Sequence, residues 1–202
     1  MKECFREESH PSGAAMQITT IKAQPNHYAA LADLFEGVFI GESYAPASSR
    51  DRLRDITKVA EAGFLLVVTG PQGSEVFGAV ALVEISSYLF EIARHGEAEM
   101  RLLAVHSHHR GQGLGSKLIR ACIAQAARCS LNSLVLSTQP SMFAAQSLYL
   151  SEGFKRVASR DWRHANGCER LVFSRPLAAH LILRTYGLLL SGIACITMYY
   201  AI

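Results

Sequence analysis

Two periodicities of hydrophobic and polar residues alternate along the chain, and the changes between them predict its secondary structure. Residues 16–23 alternate and include β-branched side chains, which indicates a first strand. The next apolar residues recur at helical spacing from Leu31 to Val38, and Gly41 ends that helix. A second helix is predicted over 48–62, with a serine as its N-terminal cap.

The rest of the chain continues as hairpins and strand–helix–strand units. Apolar runs at 64–70 and 76–85, divided by a Pro/Gly turn, predict a β-hairpin. Further elements are predicted in chain order: a strand at 99–105, a helix at 114–128, a strand at 133–138, a helix at 141–151, and two last strands at 154–160 and 169–175. Together they predict an α/β (α+β) fold with a mixed, mostly antiparallel central sheet and helices on both faces.

Composition divides the chain into three parts. Residues 1–15 predict a disordered N-terminal extension, residues 16–177 hold one domain, and residues 178–202 form a hydrophobic C-terminal tail. Residues 185–202 carry no charge over 18 positions, which is just enough to cross a membrane core of about 17–25 residues. Three interpretations stay open: a membrane anchor, a helix packed on the domain or in an oligomer, and a tail that is not native.

Charge and cysteine content argue against several classes of function. A net charge of +3, with only 18% charged residues, is far from the clustered charge of a nucleic-acid-binding protein. The five cysteines are scattered and include no C-x-x-C pair, so they indicate neither a disulfide framework nor a metal site. The polar first residues lack the apolar segment of a secretory signal. We therefore expect no nucleic-acid partner, no metal and a cytoplasmic location.

The stretch HHRGQGLGSKLI, residues 108–119, places Gly111, Gly113 and Gly115 at the start of a predicted helix. Each glycine weakens a helix by roughly 1 kcal/mol relative to alanine, so three of them indicate either a loose connection or a backbone that must approach a ligand closely. A helix start offers free N–H groups and the positive end of the helix dipole, an arrangement that binds phosphate. The loop matches neither the P-loop nor the G-x-G-x-x-G dinucleotide motif.

The loop RGQGLG, residues 110–115, resembles the [RQ]-x-x-G-x-[GA] signature of the GCN5-related N-acetyltransferases (GNAT). The stretch AAQSLYLSEGF, 144–154, is similar to the A-x-x-L-Y-x-x-x-G-F ending of that family, and the element order agrees over about 16–177. The resemblance implies the acyl-CoA N-acyltransferase fold, with acetyl-CoA as co-substrate between splayed fourth and fifth strands. It also implies the residues that hold acetyl-CoA: Leu103, Ala104, Val105, Arg110, Gly111, Gln112, Gly113, Leu114, Gly115 and Ser116.

The resemblance also implies catalytic residues. Tyr149 is the general acid that protonates the leaving CoA thiolate, or else a core tyrosine. Glu99, eleven residues before the loop arginine, is the general base that draws the amine proton through water. Strict alternation puts Glu99 and Arg101 on one face with Leu103 and Val105, so an ion pair of Glu99 with Arg101 is an alternative, and Glu84 is a rival base.

The sequence indicates less about the residues that bind the acceptor. Many family members have an asparagine at the start of the helix before the Leu-Tyr pair, but QPSMFAAQ, 139–146, has none, which leaves Gln139 or Ser141 as substitutes. Trp162 either lines the acceptor pocket or covers the end of the sheet. Three further aromatic residues occupy the segment where the family shapes acceptor specificity: Phe35, Phe39 and Tyr44.

The sequence thus predicts an N-acetyltransferase that moves the acetyl group of acetyl-CoA to the amine of a small molecule or peptide, by direct attack in a ternary complex. The alternatives are a catalytically silent acyl-CoA-binding or sensory domain and an O-acyl or longer-acyl transferase. The acceptor is not readable from the sequence. A homodimer and membrane association through 185–202 are open alternatives.

Overall fold

The computed structural model describes residues 19–83, 85, 87–164 and 167–177. The predicted N-terminal extension and the C-terminal tail lie outside these residues, as does Glu84. The helices and strands are, in chain order, β1 Thr19–Lys22, α1 Tyr28–Phe35, α2 Arg50–Arg54, α3 Ile56–Glu61, β2 Gly63–Thr69, β3 Val76–Val83, β4 Glu97–Val105, α4 Leu114–Arg128, β5 Ser133–Thr138, α5 Phe143–Ser151, β6 Lys155–Arg156, β7 Trp162–Arg163 and β8 Glu169–Pro176. None of the described helices is long and apolar enough to cross a membrane.

The eight strands form one sheet in the order β1-β2-β3-β4-β5-β8-β6, and β7 pairs with β8 beside this path. Every pair is antiparallel except β4 with β5, which run parallel. A parallel pair needs a crossover connection, and α4 is the helix in that connection. The predicted mixed, mostly antiparallel sheet is confirmed.

Apolar side chains cover both faces of the sheet, in two separate clusters. One cluster joins the sheet to α4 and α5, and its members include Phe77, Leu118, Ile119, Tyr149 and Phe154. The other joins the opposite face to α1, α2 and α3, and its members include Leu31, Phe35, Leu53, Val59 and Val67. The predicted placement of helices on both faces follows from these two clusters, because each helix buries one apolar stripe.

The prediction of one helix over 48–62 is wrong, because the helix is interrupted at Asp55. Its backbone leaves the helical region (φ −78°, ψ 70°), and α2 ends before it. The Asp55 carboxylate then accepts a hydrogen bond from the Lys58 amide at 3.2 Å and caps α3. Aspartate favours such a cap over a helix interior, since its side chain competes for backbone N–H groups.

The predicted strand over 154–160 is also wrong in its length. Only Lys155–Arg156 pairs with β8, and a 3-10 turn follows at Ala158–Arg160. The Arg160 side chain binds the Glu97 carboxylate at 2.9 Å and donates to the Ile92 carbonyl oxygen at 2.7 Å. These bonds tie the turn to Glu97 at the start of β4 and to the loop before that strand.

A β-bulge in β4 changes which way its side chains face. Ala79 pairs with Ala104 and Ala81 with Arg101, so a single residue of β3 lies opposite two residues of β4. Leu102, one of those two, has a φ of +55°. A bulge shifts the alternation by one residue and bends the strand.

Because of the bulge, the prediction that Glu99, Arg101, Leu103 and Val105 share one face of β4 is wrong. Leu103 and Val105 pack against the cluster of α4 and α5, together with Met100. Since Met100 and Arg101 are neighbours before the bulge, Glu99 and Arg101 face the opposite side. Glu99 and Arg101 therefore lie on one face of the sheet, and Leu103 and Val105 lie on the other.

Candidate active site

A cavity of about 480 Å³ lies where β4 and β5 separate. The two strands pair only at Glu97–Ser133, Ala98–Leu134 and Glu99–Val135. Beyond Glu99, β4 stays with β3 while β5 stays with β8, so a gap opens in the sheet. Peptide groups along such an edge can bind an extended ligand as an added strand would.

Nine of the ten predicted acetyl-CoA-binding residues line this cavity: Leu103, Ala104, Val105, Arg110, Gly111, Gly113, Leu114, Gly115 and Ser116. Gln112 is not in the wall, and its side-chain amide donates to the His108 carbonyl oxygen at 3.3 Å. The cavity reaches from the loop at 109–116, through the gap between the strands, to residues of α2 and of the segment after α1 on the opposite face.

The three glycines of the loop have two different structural roles. Gly111 and Gly113 have φ values of +75° and +76°, and nothing lies within 4 Å of where a Cβ would be. Positive φ is readily adopted only by glycine, and the open space at these positions fits a ligand held against the backbone. Gly115 instead lets α4 pack on α5, since its Cβ would come within 2.8 Å of Leu148 Cδ2.

The amides at the start of α4 are available to an anion. The first backbone bond of the helix runs from the Lys117 amide to the Gly113 carbonyl oxygen, at 3.0 Å. The amides of Leu114, Gly115 and Ser116 precede it and have no intrahelical acceptor. These N–H groups and the positive end of the helix dipole form an anion site next to Gly113.

Two contacts tie the segment after α1 to the cavity rim. Arg110 donates to the Val105 carbonyl oxygen at 3.1 Å and forms an ion pair with Glu42, which raises the pKa of the guanidinium. The Gln139 side-chain amide donates to the Tyr44 carbonyl oxygen at 2.5 Å. The segment containing Glu42 and Tyr44 is therefore held to both walls of the gap.

Tyr149 belongs both to the cavity wall and to the core. Its side chain is buried, and its ring centroid lies 6.0 Å from those of Phe154 and Phe173. No hydrogen bond joins its hydroxyl to any described residue. Tyr149 is one of the residues that line the cavity. Burial raises the pKa of Tyr149, because the phenolate is poorly solvated there, so the phenol keeps its proton.

Glu99 is fully buried and does not belong to the cavity wall. Its Oε2 accepts hydrogen bonds from the amides of Glu91, Ile92 and Ala93, at 2.9 to 3.1 Å. Its Oε1 accepts from Arg101 at 3.3 Å. The pairing of Arg101 with Glu99, which the sequence left as an alternative, is present, and the carboxylate also fixes the loop before β4.

Replacing Glu99 with glutamine is expected to lower the free energy of unfolding by about 3 kcal/mol. An amide has one acceptor oxygen, so either the three loop amides or Arg101 loses its partner inside the protein. The melting temperature should fall by about 6 to 12 °C, measured by calorimetry. The exposed Glu75→Gln should leave it unchanged. A fall of less than about 2 °C would contradict this structural role, and a loss of kcat at an unchanged melting temperature would support the predicted base.

Sequence reasoning missed several residues of the cavity wall. Arg52 and Arg170 line it beside Arg101, and His109 lines it while stacking on Phe77 at 3.8 Å between ring centroids. Nothing in the local pattern marks these arginines, because their positions depend on the break at Asp55 and on the pairing of β7 with β8.

The aromatic residues predicted on the acceptor side divide between wall and core. Phe39 and Tyr44 line the cavity, whereas Phe35 is fully buried in the core beneath Phe39. Trp162 is not in the wall and pairs with Arg170 across the β7–β8 ladder. Gln139 is in the wall and Ser141 is not.

Comparison with known proteins identifies the family. Residues 27–154, more than half of the chain, match the acetyltransferase (GNAT) family. N-acetyltransferase 8F1 of Rattus norvegicus is 28% identical over 121 residues, which cover 59% of this chain and 52% of that protein. N-acetyltransferase 8F1 of Mus musculus is 34% identical over 113 residues, covering 52% and 49%. The chain thus spans about half the length of the curated relatives it matches.

A solved structure agrees with the fold. The GNAT-family acetyltransferase of Staphylococcus aureus Mu50 superposes with a TM-score of 0.63 at 15% identity, covering 79% of this chain and 98% of that one. This likeness shows a shared fold. Together with the match over residues 27–154, it shows that the chain belongs to the GNAT family of acetyltransferases.

Proposed function

We propose that this chain transfers the acetyl group of acetyl-CoA to an amine, by direct attack in a complex that holds both substrates. The observation that carries the proposal is the continuous cavity. It joins the anion site of the glycine loop to the opposite face through the gap between β4 and β5, with Tyr149 in its wall. A donor and an acceptor entering from opposite faces would meet at this gap.

The residues of the donor side fit acetyl-CoA. Gly111 and Gly113 leave space where any side chain would intrude, and the free amides at the start of α4 would hold the pyrophosphate. The backbone of residues 103–105 would hold the pantetheine arm along the edge of β4. When bound, acetyl-CoA supplies an activated thioester: the amine nitrogen bonds to the carbonyl carbon and gives up a proton, the carbon–sulfur bond breaks, and the departing sulfur takes up a proton.

Tyr149 is proposed as the general acid. Its phenol is kept protonated by burial, so it can donate its proton to the departing sulfur. No cysteine is found in the wall formed by the described residues, so that wall offers no thiol for a covalent acetyl-enzyme. This supports direct transfer. The base role of Glu99 stays a prediction, tested by the variant described above.

Calorimetry and thiol detection test the proposal. Acetyl-CoA should bind saturably, and free thiol should appear only when a suitable amine from a panel is added. Binding without thiol release for every amine would indicate a silent binding domain. Absence of saturable binding would refute the proposal. Hydroxyl analogues of an active amine and longer acyl-CoA donors, tried in the same assay, distinguish N-acetyl transfer from the other acyl transfers.

A further inference from the structure

We propose that the acceptor is an amine bearing a carboxylate, and that Arg170 and Arg52 bind this carboxylate at the end of the cavity opposite the glycine loop. The inference rests on the proposed acetyl transfer and specifies its substrate class. Amino acids and their derivatives with a free carboxylate belong to that class.

Three arginines from three different elements line this end of the cavity: Arg52 from α2, Arg101 from β4 and Arg170 from β8. Arg101 is neutralised, since it donates to Glu91 at 2.8 Å and to Glu99 at 3.3 Å. Arg52 and Arg170 form no ion pair with any residue that the structure describes. Two guanidinium groups at this end of the cavity are thus without a direct ion pair among the described residues, and the Glu91 carboxylate acts on Arg170 only through longer-range attraction.

Arg170 carries the strongest sign of a missing partner. Its Nη1 is buried, and no hydrogen-bond acceptor for it exists among the described residues. Burial lowers the pKa of Arg170, Glu91 partly offsets this, and the nearby Arg101 and Arg52 lower it further. An arginine still keeps its proton in proteins, so a charged group is held here beside like charges. Buried polar groups are almost always satisfied, which points to a ligand that supplies the acceptor.

The anion expected at this end belongs to the acceptor rather than to acetyl-CoA. The amides of the glycine loop lie on the α4 side of the sheet, whereas Arg101 faces the side of α1, α2 and α3. Among the described residues of the wall, Glu42 is the only acid, and Arg110 already pairs with it. The wall therefore favours an anionic acceptor over a polycationic one.

The planar guanidinium binds a carboxylate through two parallel N–H···O bonds, a geometry that neither an amide nor an alcohol reproduces. A phosphonate or phosphate would also bind arginine, so the test includes one. The matched ligands are L-amino acids, their carboxamides and their aminophosphonate analogues. The carboxamides have less basic amines, so a larger fraction of their amine is unprotonated at neutral pH, and a preference for the acids cannot come from amine protonation.

The kinetic test compares Arg170→Gln and Arg52→Gln with Arg163→Gln, an exposed arginine of β7 outside the cavity wall. The wild-type enzyme should use an acid about ten- to a hundredfold better than its amide in kcat/KM, mostly through KM. Arg170→Gln should abolish that preference by raising KM for the acid while changing KM for the amide less than about twofold. Arg163→Gln should behave as wild type, and melting temperatures check that each variant is folded.

A binding test does not depend on turnover. N-acetyl amino acids and their amides are titrated into the complex with CoA, and acids should stabilise it more than amides in the wild type but not in Arg170→Gln. If acetyl-CoA binds but acids and amides bind equally in both tests, the carboxylate site is refuted while the proposed function stands. A preference for the phosphonate over the carboxylate would also overturn it. Failure of acetyl-CoA itself to bind would instead refute the proposed function.

Discussion

Tyr149→Phe is expected to lower kcat by a factor of about 10² to 10⁴ while acetyl-CoA binds as it does to the wild type. The substitution removes only the hydroxyl group. The ring keeps its contacts with Phe154 and Phe173, and no described residue loses a hydrogen bond. Without a proton donor, the sulfur must leave as a free thiolate. Single-turnover kinetics and calorimetry on the same preparations separate the chemical step from donor binding.

The pH dependence of turnover gives a second measurement of the same group. Because burial raises the pKa of Tyr149 above its ordinary value of about 10, its acid form persists through neutral and mildly alkaline pH. Turnover should therefore rise as the amine loses its proton, and it should not fall through deprotonation of Tyr149 below about pH 10. A falling alkaline limb between pH 7 and 9 that disappears in Tyr149→Phe would contradict this assignment.

Tyr88→Phe is the matched control, since Tyr88 is 47% exposed and lies outside the cavity wall. It should leave kcat unchanged. If Tyr149→Phe also stayed within about threefold of the wild type, Tyr149 would be a core residue and not the general acid. The melting temperature of Tyr149→Phe should stay near that of the wild type, because the lost hydroxyl has no protein partner among the described residues.

Local pattern was sufficient for the parts of the fold that position the donor site. The bounds of α4 and β5 agree with the predicted 114–128 and 133–138. Gly113 marks the start of α4, and Asn132 and Pro140 lie on either side of β5. The loop motif likewise located Gly111 and Gly113, whose positive φ values are properties of a few neighbouring residues.

Features that depend on distant residues escaped prediction. The stretch EMRLLAV contains no glycine or proline to mark the bulge at Leu102, which arises from the register of β4 against β3. The side chains after the bulge were therefore assigned to the wrong face. The arginine cluster has the same origin, because Arg52 and Arg170 are 118 positions apart in the chain and meet only at the cavity.

Gly113→Asp is expected to weaken acetyl-CoA binding by about a hundredfold or more without unfolding the protein. Aspartate tolerates positive φ better than most residues, and open space surrounds the position of its Cβ. A carboxylate at the start of a helix also interacts favourably with the helix dipole. It would, however, occupy the anion site, where two unit charges about 5 Å apart repel by about 3 kcal/mol at an effective dielectric constant of about 20.

Two controls separate charge from shape and from backbone strain. Gly113→Asn has nearly the same size without the charge, so any difference in Kd between the two variants is electrostatic. Gly73→Asp places an aspartate at a similar positive φ, +74°, also with open space around the position of its Cβ. Gly73, however, lies in the turn between β2 and β3, outside the cavity wall. Gly73→Asp should bind acetyl-CoA as the wild type does. Equal Kd values for Gly113→Asp and Gly113→Asn would refute the assignment of the loop as an anion site.

Measuring Kd for both variants at low and high salt separates the effect of charge from the effect of shape. Salt screens charge but does not change the shape of the side chain. The Debye length falls from about 10 Å at 0.1 M salt to about 3 Å at 1 M. The difference in Kd between Gly113→Asp and Gly113→Asn should therefore shrink markedly at 1 M salt, while any loss common to both variants persists. A difference that stayed constant with salt would mean that the aspartate acts by distorting the loop. A difference that shrinks would mean that the amides before Lys117 hold a negatively charged group of the donor.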